Sequence, residues 1–270
     1  MKAGRYRVKP GESVHLKDRN PVDHHQFATK NEACLQTAAL LKRLDHWQER
    51  LYAGRQRSLL IILQGMDTSG KDGTIRHVLT GINPQGCQVA SFKTPTPEEA
   101  SHDFLWRVHR YAPAQGMISI FNRSHYEDVI ITRVHHWVSD RDIRRRFEVI
   151  NEFEKSLVEG GTAVVKFFLH ISKDEQKQRL EARLKDPEKR WKFSRADLAE
   201  RGYWKSYRRA YEWALEATST EDAPWYVVPA DHKWYRDWVV AEVLVRIFEE
   251  MRLKTPKPDP KIHFDRIRFS

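Results

Sequence analysis

The chain has 270 residues, of which 40% are hydrophobic and 31% charged. This balance excludes a disordered chain and predicts one large α/β domain, alone or with a lid. The net charge of +10 indicates a polyanionic partner: nucleic acid, an anionic membrane or a phosphate-rich substrate. Two cysteines exclude a disulfide framework, and the apolar runs are too short for a membrane helix. No signal peptide is evident, so we expect a cytoplasmic protein.

The first 55 residues divide into a polar segment and a helical pattern. Residues 1–30 are polar and contain Pro10 and Pro21, so we expect an N-terminal extension. A helix is predicted from a cap at Asn31 to residue 55. Its apolar side chains recur at helical spacing: Leu35, Ala38, Leu41, Leu44 and Trp47.

Beyond residue 57, short apolar runs alternate with helical patterns. Five continuous runs are typical of strands buried on both faces, as in a parallel sheet: residues 58–64, 87–92, 117–121, 163–169 and 225–228. Helices are predicted between and after them: residues 71–80, 97–112, 140–158, 173–185, 195–218 and 232–252.

The alternation of strands and helices predicts the architecture. We expect an α/β fold with a parallel five-stranded sheet and helices on both faces. The domain should span residues 31–254. A proline-rich tail over residues 255–270 is expected to be extended or mobile.

A phosphate-binding loop follows the first predicted strand directly. Residues 65–71, Gly-Met-Asp-Thr-Ser-Gly-Lys, match the GxxxxGK core of a P-loop. Backbone N–H groups and the next helix N-terminus surround a phosphate in such a loop, and its lysine adds positive charge. Phosphate contacts are therefore expected from Gly65, Met66, Thr68, Ser69, Gly70, Lys71, Asp72 and Gly73. Asp72 stands where Ser or Thr normally binds Mg²⁺, so Asp67 is the expected metal ligand.

Polar residues also follow the third predicted strand, where parallel α/β sheets bind their ligands. Asn122 can coordinate or hydrogen-bond without charge, and Arg123 can clamp phosphate oxygens at two points. Glu127 and Asp128 offer carboxylates one helical turn later. His125 is interpreted as structural, because phosphoryl transfer depends on positioning and charge neutralisation more than on a strong base. The alternative is a helix capped by Asn122 with charges on its surface.

A basic segment follows the fourth predicted strand. Residues 173–209 contain 13 Lys or Arg and seven Asp or Glu, so they hold more than half of the net charge. We expect a mobile lid over residues 183–205 that excludes water from the reaction. Its expected phosphate contacts are Arg183, Lys189, Arg190 and Lys192, joined by Lys93 after the second strand. The alternative is a solvated helical face.

Three motifs in this order resemble the polyphosphate kinase 2 family. They are residues 65–73 (GMDTSGKDG), residues 121–128 (FNRSHYED) and residues 187–193 (PEKRWKF). The resemblance implies a P-loop kinase fold of the thymidylate kinase type and Mg²⁺-dependent phosphoryl transfer between polyphosphate and adenine nucleotides. Many family members have Asp in place of Asn122. The Asn form is similar to the class III subgroup, which is associated with phosphorylating both AMP and ADP.

The resemblance also implies roles for single residues. The implied catalytic residues are Asp67, Lys71, Arg123 and Arg183. The implied nucleotide contacts are Asn122, Tyr126, Glu127, Asp128 and Arg133. Asp67 and Asp128 would hold Mg²⁺, with Mn²⁺ as the alternative cation. The implied partners are polyphosphate and adenine nucleotides rather than nucleic acid or a membrane, and the implied assembly is a homo-oligomer, a dimer or tetramer.

Two other functions stay open at this point. An ATP-dependent nucleotide or small-molecule kinase would share the P-loop and the lid, and only donor preference separates it from a polyphosphate kinase. A nucleic-acid-binding protein would explain the charge and the many aromatic residues, but not the order of the three motifs. A GTPase lacks support because no Asn-Lys-x-Asp motif is present, and a protein kinase because His-Arg-Asp and Asp-Phe-Gly are absent.

Overall fold

A computed structural model describes residues 3–258 and residue 267. Five strands form one parallel sheet in the order β2-β3-β1-β4-β5. Their bounds are β1 (Ser58–Gln64), β2 (Cys87–Ser91), β3 (Ile118–Asn122), β4 (Thr162–His170) and β5 (Trp225–Pro229). The predicted α/β fold with a parallel five-stranded sheet is therefore confirmed.

Helices connect and flank these strands. Their bounds are α1 (Lys30–Gly54), α2 (Lys71–Val78), α3 (Pro97–Ser101), α4 (Trp106–His109), α5 (Glu127–Val134), α6 (Asp140–Glu159), α7 (Lys173–Lys185), α8 (Arg195–Gly202), α9 (Trp204–Thr218) and α10 (Lys233–Glu250). Helix α10 contacts both α1 and α2, and helices α5, α6 and α9 contact one another. All seven side chains of β1 are buried, as expected for a central strand covered on both faces.

Apart from shifts of one or two residues at helix ends, such as the end of α2 at Val78, the helices differ from the prediction in the following ways. The N-cap of α1 is Thr29 rather than Asn31, because the Thr29 hydroxyl accepts from the Glu32 N–H. The predicted helix over 97–112 breaks into α3 and α4, since Asp103 Oδ1 accepts from the Leu105 N–H and starts a new turn. The stretch over 195–218 breaks into α8 and α9 after Gly202. Helix α5 was not among the predicted helices.

Residues 3–30 pack against the domain. Five of their side chains are buried in the core: Tyr6, Val8, Val14, Leu16 and Phe27. Arg7 bridges antiparallel to Tyr226 in β5, so the segment covers one edge of the sheet. Two backbone N–H groups of the segment also donate to carboxylates on α9.

The expected tail has no regular structure over residues 255–258, and its later residues, apart from residue 267, lie outside the described part of the chain. Among the described residues, no helix combines the length and the apolar character that a bilayer crossing requires.

Candidate active site

The P-loop lies between the end of β1 and the start of α2, and two of its glycines are sterically required. Gly65 has φ +150°, and a Cβ there would lie 2.7 Å from the Leu169 carbonyl oxygen. Gly70 has φ +104°, and a Cβ there would lie 2.0 Å from Nη1 of Arg236. Both positions therefore need a residue without a side chain, as a phosphate-binding loop does.

Two buried hydroxyls inside this loop have no hydrogen-bond partner among the described residues. They are Thr68 Oγ1 and Ser69 Oγ, and Thr68 also adopts a left-handed backbone with φ 65°. Buried polar groups are normally satisfied, so unpaired hydroxyls indicate a place for a polar ligand. Strained backbone conformations also cluster at functional sites. The loop thus fits a phosphate group or a hydrated cation.

Lys71 lies inside the same loop. Its Nζ donates to the carbonyl oxygens of Gly65 and Met66 at 2.7 and 3.3 Å. Burial, and after it the positive charge of Arg123, lower the pKa of Lys71 to about 8, although nearby carboxylates oppose the shift. A bound anion would stabilise the protonated amine, so Lys71 is placed to respond to phosphate.

Arg123 connects the P-loop with the end of β3. Its Nη2 lies 3.0 Å from Asp67 Oδ1, and its Nη1 lies 3.8 Å from Glu127 Oε2. Burial raises the pKa of Glu127, although Arg123 and Lys71 act in the opposite direction. The structure therefore brings together Asp67, Lys71, Arg123 and Glu127, four of the residues chosen from the sequence.

Asn122 and Asp72 form a second pair beside this group. Asn122 Nδ2 donates to Asp72 Oδ1 at 2.8 Å, and Lys192 Nζ lies 3.9 Å from Asp72 Oδ2. The Asp72 side chain is 69% exposed and negative, so its carboxylate cannot attract a phosphate. The phosphate contact predicted for Asp72 therefore rests on its backbone N–H, at the first turn of α2.

Tyr126 requires a correction. Its side chain is 1% exposed, and its hydroxyl donates to Glu154 Oε1 at 2.9 Å in the core. The ring does not face the cleft, so the nucleotide contact predicted for Tyr126 has no support in this structure. The neighbouring His125 is fully buried next to Glu154, in agreement with its interpretation as structural.

Three other predicted residues lie apart from the central group. Asp128 Oδ2 pairs with Arg107 Nη2 at 3.3 Å rather than with Asp67. Arg133 donates to Asp140 Oδ1 at 3.1 Å, and its guanidinium stacks over a tryptophan ring of α9. Lys93 follows β2 with an exposed side chain, and its carbonyl oxygen accepts from Arg107 Nη1 at 2.8 Å.

The available oxygen donors decide which of the two predicted ligands, Asp67 and Asp128, could hold a divalent cation. Among the described residues, no group of three or more His, Cys, Asp or Glu side chains could hold a metal ion. Mg²⁺ does not need such a cage, because it usually takes one or two carboxylates plus waters and substrate phosphates. Asp67, with a 28% exposed side chain beside the unpaired Thr68 and Ser69 hydroxyls, fits that requirement. Asp128 does not join it, since its carboxylate is paired with Arg107.

Beyond Leu180 the basic segment lies at the surface, with Trp204 and Tyr207 packed against the core. No residue from 181 to 209 is buried. Arg183 Nη1 lies 3.7 Å from Asp197 Oδ2. Lys189 pairs with Asp186, and Arg190 Nε donates to a carbonyl of the same segment, so both stay within it.

Several contacts join the basic segment to the P-loop and to the start of α2. Arg201 Nη1 donates to Gln176 Oε1 at 2.8 Å. Gln176 Nε2 in turn donates to the Asp67 carbonyl oxygen at 3.1 Å. Besides this buried glutamine, Lys192 Nζ lies 3.9 Å from Asp72 Oδ2, so the segment meets the phosphate-binding region at more than one point.

Sequence reasoning missed three residues around the P-loop. Arg179 donates to the Thr68 and Ser69 carbonyls at 2.8 and 3.0 Å and also to the loop after β5. Arg236 is buried behind Gly70. Burial raises the pKa of Asp197, and the charge of Asp67 raises it further, which places Asp197 near the same group. None of these three residues belongs to a local sequence motif. The only sequence signal was the basic character of residues 173–209, which include Arg179.

Comparisons with known proteins agree with this geometry. The family model described as polyphosphate kinase 2 matches residues 28–256. The AMP/ADP-polyphosphate phosphotransferase of Meiothermus ruber is 50% identical over 256 residues, which cover 94% of this chain and 96% of the relative. The ADP-polyphosphate phosphotransferase of Rhodopseudomonas palustris is 45% identical over 275 residues, which cover 96% of this chain and 94% of the relative.

A solved structure is similar over almost the whole chain. The crystal structure of polyphosphate kinase 2 from Arthrobacter aurescens TC1 has a TM-score of 0.93 to this chain at 47% sequence identity. The match covers 98% of this chain and 94% of that chain. The family model, these relatives and the P-loop geometry agree. The chain therefore belongs to the polyphosphate kinase 2 family.

Proposed function

We propose that this protein transfers phosphoryl groups reversibly between inorganic polyphosphate and the adenine nucleotides AMP and ADP. The observation that carries the proposal is the meeting of Lys71, Arg123 and Asp67 at the ends of β1 and β3. Phosphoryl transfer requires positioned positive charge and a metal-binding carboxylate there. The names of the relatives, which specify polyphosphate and AMP or ADP, support the donor and the acceptors.

Each residue of the group has a distinct part. The P-loop amides and the Thr68 and Ser69 hydroxyls hold the phosphoryl group that moves. Lys71 and Arg123 offset its charge as the bond to the donor breaks and the bond to the nucleotide phosphate forms, which can be worth about 10³- to 10⁵-fold in rate for one arginine. Arg123 also orients Asp67 through their 3.0 Å pair.

A divalent cation completes the charge balance. Asp67 would hold Mg²⁺, or Mn²⁺, and the bound cation would neutralise phosphate oxygens. Two further carboxylates lie close to Asp67, since, besides burial, the charge of Asp67 raises the pKa values of both Asp197 and Glu127. In the nucleotide site, Asn122 and Glu127 supply the polar contacts.

The lid over residues 183–205 favours polyphosphate over ATP as the donor. ATP carries few charges and needs only a local clamp, whereas polyphosphate carries about one charge per phosphate and gains from a long basic surface. Within the lid Arg183 lies beside Asp197, and Lys192 lies beside Asp72 in the first turn of α2. Closure over the reacting phosphates would exclude water, which would otherwise accept the phosphoryl group.

The proposed setting follows from the same features. Free Cys34 and Cys87 fit the reducing cytoplasm. We propose a catalytic domain over residues 31–254 and a homo-oligomer of two or four chains.

The direct test starts with AMP, long-chain polyphosphate and Mg²⁺, with ATP absent. Chromatography should show ADP first and ATP after it. ADP without ATP would limit the acceptor to AMP. No product from polyphosphate, together with ATP-dependent phosphorylation of an acceptor, would favour the ordinary kinase.

A further inference from the structure

A fully buried ionic network lies directly below the turn that carries Arg123. Glu154 on α6 and Lys166 on β4 form an ion pair with side chains 1% and 0% exposed. The hydroxyl of Tyr126 donates to Glu154 at 2.9 Å and accepts from Lys166 at 3.2 Å. Lys166 also donates to the Thr218 carbonyl at the end of α9 at 2.6 Å. No step of the proposed reaction uses these groups.

Such a network is poorly explained by stability alone. A buried ion pair is often no more stabilising than apolar residues of similar volume, because both charges lose their hydration. Burial raises the pKa of Glu154, but Lys166 and His125 outweigh it, and the pKa lies below its usual range. The carboxylate therefore stays charged, and a satisfied network of this kind holds its members in one geometry.

The geometry it holds is that of the turn from residue 123 to residue 126. Arg123 has a left-handed backbone with φ 65°, which a residue with a side chain adopts only when its surroundings enforce it. One end of the turn is held by the Arg123 N–H, which donates to the Leu63 carbonyl at 3.0 Å. Its middle is held by the Ser124 hydroxyl, which accepts from Gln64 and from the Tyr126 N–H, each at 3.2 Å.

The other end of the turn is anchored in the buried network by two side chains: His125 Nε2 and the Tyr126 hydroxyl both contact Glu154 Oε1, at 3.4 and 2.9 Å. We propose that Glu154, Lys166 and Tyr126 are positioning residues that keep the strained Arg123 turn in place, so that the guanidinium stays against Asp67. The inference rests on the proposed role of Arg123 as a phosphate clamp. It gives Tyr126 an indirect role in place of nucleotide contact.

The first test is Tyr126→Phe, which deletes one hydroxyl and keeps the ring. A shift of about 1 Å in a reacting group can cost 10²-fold in rate, so we expect kcat to fall about 10- to 100-fold. The KM values for AMP and polyphosphate should stay within about threefold, because the loss is confined to the transition state. Tyr6→Phe is the matched control: Tyr6 is also buried, and its hydroxyl bonds Asp23 and Tyr235 away from the P-loop.

A double-mutant cycle separates positioning from general support of the fold. If Tyr126 acts through Arg123, Tyr126→Phe should change kcat less than about threefold in an Arg123→Lys background. An equal fall in both backgrounds, or the same kcat loss in Tyr6→Phe, would overturn the positioning role. Thermal unfolding of each variant corrects the rates for the folded fraction.

A failure of the proposed function would give different kinetic results from a failure of the positioning role. If Arg123→Lys alone keeps the wild-type kcat, Arg123 is not the clamp, and the inference falls with it. If Arg123→Lys is impaired while Tyr126→Phe is not, only the inference fails. Glu154→Gln should show the same loss of kcat as Tyr126→Phe when the rate is corrected for the folded fraction. A wild-type kcat in Glu154→Gln would also contradict the positioning role.

Discussion

Lys71 links the pH of the solution to the charge of the P-loop. Its pKa is lowered to about 8 by burial and by the charge of Arg123. The free enzyme therefore loses this charge above pH 8, and kcat/KM for polyphosphate should fall about tenfold per pH unit there. A pH profile of initial rates checks this.

The lowered pKa of Lys71 makes activity fall as the pH rises, but it makes folding stability increase. The folded-state pKa of Lys71 lies below its ordinary value of 10.5. Between these two values the unfolded chain binds more protons, so the contribution of Lys71 to folding stability rises with pH.

Lys71→Arg is the control for the pH profile of activity, because arginine stays charged and should remove the fall in kcat/KM at alkaline pH. An unchanged fall near pH 8 in this variant would assign the titration to another group.

Gly70 tests the steric account of the loop. In Gly70→Ala the new Cβ would lie 2.0 Å from Arg236 Nη1, and Arg236 cannot move easily because it is buried and holds Asp237 with two hydrogen bonds. We expect kcat/KM to fall at least about 100-fold, since the loop must shift. Gly81→Ala is the matched control: Gly81 also has positive φ, +90°, but nothing lies within 4 Å of its Cβ position. It should lose about 1 kcal/mol of stability and little activity. Equal activity losses would show that backbone strain alone explains the effect.

At the scale of elements, the lid should act on the donor and not on the acceptor. In Lys192→Gln we expect a KM for polyphosphate about threefold or more above wild type at low salt, with the KM for AMP unchanged. The difference should shrink toward 1 M salt, where the screening length falls to about 3 Å. Arg145→Gln, which removes an exposed charge on α6, is the matched control. An equal change in both variants would mean that net charge, rather than the lid, attracts the donor.

The elements with local patterns were predictable from the sequence. The strand β1 and the helix α7 match their predicted bounds, because a continuous apolar run and a capped helical pattern are local features. The P-loop was predictable for the same reason. The break after Gly202 was not, because helical periodicity continues on both sides of it.

The residue contacts that could not be predicted from the sequence join residues that are far apart along the chain. Tyr126 was assigned to the nucleotide on the family resemblance, yet its partners lie 28 and 40 residues away, on α6 and β4. Arg179 meets the P-loop more than 100 residues from it in sequence. No local periodicity records such pairs, so only the assembled sheet reveals them.

At the scale of the whole molecule, residues 3–30 belong to the packed structure. Their polar composition suggested an extension, but a few apolar side chains separated by polar ones were enough to fill the core beside β5. The segment therefore joins the sheet edge, α9 and α10 into one body, with Tyr6 hydrogen-bonded to Tyr235. Truncation before residue 30 would remove those buried side chains and expose the parts of β5 and α10 that they cover.

The central claim is that one P-loop group uses polyphosphate as the donor for adenine nucleotides. The most direct measurement compares kcat/KM for AMP phosphorylation with saturating Mg²⁺ and either polyphosphate or ATP as the donor, in wild type and Arg123→Lys. We expect a strong preference for polyphosphate in wild type and a loss of that activity in the variant. A preference for ATP, or an Arg123→Lys variant as active as wild type, would contradict it.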